Sequence, residues 1–446
     1  MKTKKTMLMF VAALVLSGLA AYQFLKNTPA GTNTPALSPR SGGENASSEY
    51  LNAQKAAAYY RDKIQRNPDV LKNYIHLAQI FLQEGRVTGN NGEYIPKANA
   101  LLSEVLRRDP ENFEAIMAEA SIAATLHQFS KARQAAERAL VLNPHNAFAY
   151  GVLCDALVET GNYDEAVRAC DRMMSLRPDL RSYARVSYLR ELHCDVSGAI
   201  AAMKEAAEAG VSGQENRAWV LYNLGMLYFG EGRLDTAEYI FRGILQERPR
   251  YGYALSGLAR VKSQQHQYDQ AVKLYQASIA SMNEPSFHEA LGEVYEVMGN
   301  KSEALRSYDT AEGLYAREKE SGEDNALETA RFLALHDRKV AGALATAKEA
   351  IRRRPSIHGY ETLALALSKN GFSTEAWDAV RKAMKLGTRD AFTQYLAGMI
   401  ARNLGDGERA RAYLENALAI NPAFSLIRAA EAKTVLAQLG VAHDEQ

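Results

Sequence analysis

The chain is poor in the residues that carry redox, covalent or electrostatic chemistry. It has three cysteines in 446 residues, Cys154, Cys170 and Cys194, too few to staple a fold and odd in number, so at least one thiol has no internal partner. It has almost no net charge: 53 basic residues stand against 52 acidic ones, and the basic field of a nucleic-acid binder is absent. Its nine histidines are scattered, and no two bracket a glutamate at the four-residue spacing of a helical zinc site. A nucleophile elbow and a glycine-rich phosphate loop ending in lysine are both missing. His193-Cys194-Asp195 is a local cluster of metal-ligand types, but adjacent residues on a helix point in different directions. These absences argue against an enzyme and against a cofactor or metal. The densest basic run, Arg352–Arg354, falls at a predicted helix C-terminus, where solvated cations complement the dipole.

What the chain does have is an alanine that returns at a nearly fixed interval. Ala98, Ala132, Ala166, Ala199, Ala237, Ala271, Ala304, Ala343, Ala376 and Ala410 are 33 or 34 residues apart, with two longer steps of 38 and 39. Such a period marks stacked copies of one supersecondary unit. Apolar residues on both sides of each alanine recur at three- and four-residue steps, as in GNYDEAVRACDRMMSLRP (161–178), which predicts amphipathic helices. A second small residue stands upstream in nine units: Ala78, Ala120, Cys154, Ser187, Gly225, Ala259, Gly292, Ala364 and Gly398. Small residues facing each other let two helix backbones close up, where a bulky one would add strain of about 1–3 kcal/mol. A glycine five residues before the alanine (Gly161, Gly232, Gly299, Gly371, Gly405, with Gly85 ahead of an insertion) suits a left-handed helix end. A proline twelve residues after it (Pro110, Pro144, Pro178, Pro249, Pro355, Pro422) stops the second helix.

This small–Gly–Ala–Pro spacing, with aromatics such as Tyr228, Phe241, Tyr295 and Tyr308, resembles the tetratricopeptide repeat family over roughly residues 53–440. SYLRELHCDVSGAIAAMKEAAEAG and GTRDAFTQYLAGMIARNLGD also look like a recurrent bacterial subgroup of exported repeat proteins without a settled role. The resemblance implies an all-α fold, a right-handed superhelical solenoid of about ten helix-turn-helix repeats spanning residues 71–424. Residues 50–70 are expected to cap its N-terminal end and residues 425–446 its C-terminal end. Eight extra residues centred on TGNNGEY read as a polar loop in the first unit, and the stretch Glu318–Asn325 lengthens the seventh. In the eighth unit Arg331 replaces the small residue and Arg338 the turn glycine, which predicts weak coupling to its neighbours. Cys154 and Cys170 fall on facing helices of one unit, where an oxidising compartment would permit a bridge and where two small buried residues are the favoured reading.

The first 25 residues follow different rules. Lys2, Lys4 and Lys5 precede an apolar run from Met7 to Ala21, the pattern of an export signal. Cleavage after Ala20 and retention as a membrane anchor are both compatible with it, and either puts the repeats outside the cytoplasm, in the periplasm. Residues 26–49, rich in Pro, Gly, Ser, Thr and Asn, read as a disordered tether.

In a solenoid of this family the first helix of each unit lines the concave face. Phasing on the alanines puts Phe148, Arg185, Tyr188, Trp219, Tyr222, Asn223, Met226, Phe229, Tyr253 and Arg260 there, and Trp, Tyr and Arg among them are the types that dominate binding hot spots. Glu289, Glu293, Glu296 and Glu361 make the same face acidic further on. Some members of the family clamp a peptide carboxylate with two lysines, two asparagines and an arginine. Here Asn223 matches one asparagine, but Ala184, Tyr188, Tyr253 and Gly257 occupy four of the other positions, so that clamp is not expected. The expected role is a non-enzymatic scaffold in the bacterial cell envelope that binds a protein or peptide in its groove. A membrane-anchored assembly factor for an envelope enzyme or transporter is the alternative, and a metal-dependent hydrolase has less support.

Overall fold

The computed structural model describes residues 36–40, 48–387 and 389–444. Among them are twenty-two α-helices and no strand. Twenty helices form ten consecutive pairs, from Leu71–Thr88 with Asn91–Arg108 to Ala391–Asn403 with Gly407–Ile420. The two remaining helices, Ser48–Arg66 and Arg428–Asp444, cover the ends, so the all-α superhelical repeat fold is the one the family resemblance implies.

The ten alanines are the contact points within the pairs, each 5% exposed or less. In the fourth unit the Ser187 hydroxyl donates to the carbonyl of Ala199 at 2.7 Å, so the two helix backbones are nearly touching. A side-chain carbon at Gly225 would lie 2.4 Å from the Phe241 ring, and one at Gly292 2.4 Å from the Tyr308 ring. The intervening turns need a left-handed residue, and Gly161, Gly232, Gly299, Gly371 and Gly405 supply it with φ of 70–80°. Cys194 (φ 70°), His127 (φ 54°) and His266 (φ 58°) take the same conformation in units without the glycine.

Several local expectations are corrected. The polar loop in the first unit is not a loop. The extra residues lengthen both helices, which run Leu71–Thr88 and Asn91–Arg108 and are joined through the left-handed Gly89, while Gly85 is helical and buried. The seventh unit absorbs most of its surplus as helix, extending Lys301–Glu320 to 20 residues. In the eighth unit the left-handed residues are Asp337 and Lys339, on either side of Arg338. The weak coupling expected there is visible on one side: the helix Ala326–Leu335 approaches the preceding helix Lys301–Glu320 over less backbone than any other two consecutive helices share, and ring contacts of Phe332 and His336 with Tyr308 (6.2 and 4.2 Å between ring centres) and of Phe332 with Tyr315 (5.6 Å) hold the junction. The segment expected to be a signal or anchor, residues 1–25, lies outside the described residues, as do 26–35 and 41–47 of the tether. Within the tether, Leu37 is buried against the first helices and the buried Arg40 pairs with Glu84 at 2.6 and 3.0 Å. None of the described helices is long and apolar enough to cross a membrane.

Successive first helices pack more closely on one another than successive second helices do, which puts the first helices on the inside of the curve. The curvature is tight enough that the chain meets itself. The Asp324 N–H donates to the Leu126 carbonyl at 2.9 Å, and the Gln128 amide to the Gly322 carbonyl at 2.7 Å. The Ile357 N–H donates to the Tyr163 hydroxyl at 2.7 Å, the Cys194 thiol to the Gly387 carbonyl at 2.7 Å and the Asn421 amide to the Phe229 carbonyl at 3.0 Å. The sequence separations of these side-chain bonds are 192 to 194 residues. In each case the turn inside unit n meets the link between units n+5 and n+6. One superhelical turn therefore lies directly on the next, along a lateral seam. Arg354 is part of that seam. It is 6% exposed and joins Glu159 of the third unit (2.9 Å) to Glu328 of the eighth (2.8 Å), so the solvated reading of Arg352–Arg354 fails at this residue.

Close helix approach makes a directional prediction. Gly225→Val, which must displace the Phe241 ring, is expected to cost about 1–3 kcal/mol in urea denaturation. Gly243→Ala, mid-helix with nothing within 4 Å, is expected to be neutral or to stabilise by up to about 1 kcal/mol.

Candidate binding surface on the inner helices

The helices Glu215–Gly230 and Gly252–Gln264 are the first helices of units five and six and lie side by side. Residues 219, 222 and 226 share one face at helical spacing, and Tyr253 and Arg260 project from the neighbouring helix. Trp219, Tyr222 and Tyr253 meet as a triangle, with ring centres 5.8 Å (219–222), 5.1 Å (219–253) and 5.4 Å (222–253) apart. Phe241 supports Tyr222 at 5.9 Å and Phe287 supports Tyr253 at 5.6 Å, so the rings are held from behind by core. Trp219 is nevertheless 42% exposed, an expensive place for a large apolar ring without a partner.

Arg260 continues the strip. Its Nε is buried and has no hydrogen-bond partner, and the charges and dipoles around it are those of Tyr222, Tyr275, Glu289 and Glu293. Burial raises the pKa of Tyr222 and of Glu293, although Arg260 lowers both. The acidic stretch is largely occupied. Burial, the largest single influence, pushes Glu289 up, but the hydrogen bond from His336 at 3.0 Å together with the charges of His336, Arg331 and Arg260 holds the carboxyl below its ordinary value. Glu296 accepts from the Tyr308 hydroxyl at 2.8 Å, and Glu361 accepts from the Thr393 hydroxyl.

The remaining sequence-selected residues are not all gathered here. Tyr188, Met226 and Phe229 line a second feature, a cavity of about 370 Å³ between the two superhelical turns. Its opposite wall comes from units eight to ten: Arg331, His358, Glu361, Arg389 and Phe392. No local pattern pairs these with Tyr188, because the seam brings together residues far apart in sequence. Arg185 is committed to structure, with both Asp155 oxygens at 2.8 and 2.6 Å and the Gly151 carbonyl at 3.1 Å. Phe148 sits apart under the Arg181 guanidinium (5.3 Å) at a smaller hollow, and Asn223 turns its amide back to the Trp219 carbonyl at 2.8 Å.

Groups that could do chemistry have other jobs. His193 contacts the Leu189 carbonyl at 2.8 Å, Cys194 the Gly387 carbonyl, and Asp195 caps the helix Val196–Glu208 through the Gly198 N–H at 2.9 Å. Among the described residues there is no group of three His, Cys, Asp or Glu that could hold a metal ion. Cys154 and Cys170 are buried free thiols, as the small-residue reading expects. A hydrogen bond between them, with burial, raises the pKa of Cys154, and the same bond lowers that of Cys170.

Tetratricopeptide repeat family models match residues 123–191 and 228–294, 393–424 and 90–147. Cellulose synthase operon protein C of Pseudomonas fluorescens (strain SBW25) is 24% identical over 184 residues, 39% of this chain. The chain spans 14% of the length of that curated relative. Among solved structures, TTC0263, a thermophilic TPR protein of Thermus thermophilus, is 19% identical with a TM-score of 0.36, covering 47% of this chain and 98% of its own. Yeast Tom70 is 14% identical with a TM-score of 0.36, covering 89% of this chain and 94% of its own.

Burial sets the expected thiol reactivity. Iodoacetamide on the native chain should label Cys194, which is half-buried, and leave Cys154 and Cys170 unmodified until urea is added, as counted by intact mass.

Proposed function

Because the chain is a tetratricopeptide repeat protein, and as such a protein-interaction scaffold, we propose that it binds an extended segment of a partner protein on the Trp219–Tyr222–Tyr253 strip. The observation that carries this reading is the exposed Trp219 ring, fixed by two tyrosines that are themselves backed by core. A pre-packed ring gains contact area on binding and loses little side-chain entropy, which is why aromatics and arginine concentrate in hot spots. Arg260 adds a positive charge beside the strip, which favours a carbonyl or carboxylate of the segment.

We also place the scaffold in the cell envelope. This part rests on the lysines and apolar run at the N-terminus, whether that segment is cleaved near Ala20 or kept as an anchor.

Peptides selected from a displayed random library on the parent chain test the strip. Trp219→Ala with Tyr222→Ala is expected to weaken the selected peptides at least about 30-fold, the equivalent of about 2 kcal/mol, with helix content unchanged by circular dichroism. Equal binding to parent and variant would show that the strip is not the site. A reporter enzyme active only outside the cytoplasm, fused after residue 66, is expected to be active; an inactive fusion rejects the envelope location.

A further inference from the structure

The seam is uneven in its chemistry. Between units three and eight a cation bridges it, since the Arg354 guanidinium bonds both Glu159 and Glu328. Between the first two units and the sixth to eighth it is acidic. Three half-buried carboxyls, Glu284, Glu318 and Glu323, crowd the underside of the first turn. A side-chain carbon at Gly89 would lie 2.8 Å from the Glu284 carboxyl, and one at Gly92 3.0 Å from the Ser321 hydroxyl. The next rung is the pair of bonds from Asp324 to Leu126 and from Gln128 to Gly322.

We infer that this acidic stretch is a separable clasp: the two superhelical turns close on each other when its carboxyls are protonated and part as they ionise. The groups facing it are few. Glu323 meets His127 at 3.6 Å across the seam, and His127 is also 3.7 Å from Glu328. Asp324 is taken by Arg353 (2.7 and 2.8 Å), Glu318 accepts from Asn325 at 3.2 Å, and Arg354 is engaged by Glu159 and Glu328. The titratable neighbours of Glu284 are the carboxyls of Glu318 and Glu323 and the hydroxyl of Tyr253. Burial, then repulsion from neighbouring carboxylates, pushes Glu323 up to about 8, and burial with repulsion from Glu318 pushes Glu284 up to about 7.

The direction follows from linkage. Parted, these carboxyls ionise near their ordinary value of about 4.3; closed, they hold their protons to about 7 and 8, so closure weakens as pH rises to about 8 and is then constant. His127 acts oppositely, because burial lowers its pKa and its protonation penalises the closed seam only below its ordinary value of about 6.5. The window above that value isolates the carboxyls. If the inner strip binds a segment, as proposed above, parting of the clasp opens a sideways route to it; the clasp itself does not depend on that reading.

Small-angle scattering of the full chain at pH 6.5 and pH 9 tests the clasp without any partner. A larger radius of gyration at pH 9, with helix content unchanged by circular dichroism, is expected, and Glu284→Gln with Glu323→Gln is expected to remain compact at both. Glu323→Gln alone, the fallback should the double variant not fold, is expected to expand less than the parent. Identical parent profiles at the two pH values, expansion accompanied by helix loss, or variants that expand as much as the parent would each overturn the clasp.

Discussion

Everything in this molecule depends on how closely two helices can approach at an alanine. Where Ser187 reaches the Ala199 carbonyl, or Gly225 and Gly257 make room for Phe241, the backbones are separated by little more than one small side chain. That distance fixes the shape of one unit. Ten near-copies of it turn small per-unit rotations into a tight curve, and the curve puts the first helices inside. The aromatic strip is a product of the same geometry, since Trp219 and Tyr253 belong to neighbouring units whose first helices converge.

The seam adds something a simple stack of repeats lacks. In an ordinary solenoid each unit answers only to its neighbours, and stability sums from local terms. Here a backbone amide at Asp324 is satisfied by a carbonyl at Leu126, and the Asn421 side chain by the carbonyl of Phe229. These bonds couple units five and six places apart. They also bury charge, as at Arg354, whose guanidinium is placed between carboxylates of two different turns. Removing one partner of such a buried group leaves the others unpaired, a cost of about 3–5 kcal/mol that no local unit can relieve.

The repeat phase is legible in the residues because it is written locally: alanine, small residue, glycine and proline act within one helix pair. All ten units and both caps follow from it. The aromatic strip is legible because the phase, together with the family's placement of first helices on the concave face, puts 219, 222 and 253 on one side. What the phase does not encode is the rotation per unit, and so it says nothing about where the chain returns to itself. The cavity wall of Arg331, His358 and Phe392 opposite Tyr188 is hidden on that account, as is the burial of Arg354. Phasing makes Arg185 a groove residue, but a guanidinium bonded to Asp155 of the preceding unit is spent on the scaffold. Composition makes the polar TGNNGEY stretch a loop, but the helices on either side continue through most of it.

The offset of the seam has an evolutionary consequence. Repeat proteins commonly gain or lose whole units, since each new copy stacks like the last. In this chain a unit added or deleted between the two faces of the seam would slide every later rung by one place. His127, Cys194 and Phe229 would then face the wrong link, and Gly161 would no longer lie under the Pro355 carbonyl, where a side-chain carbon would come within 2.5 Å. The copy number between opposing rungs is thus locked as tightly as any residue, and variation in length is free only at the two ends.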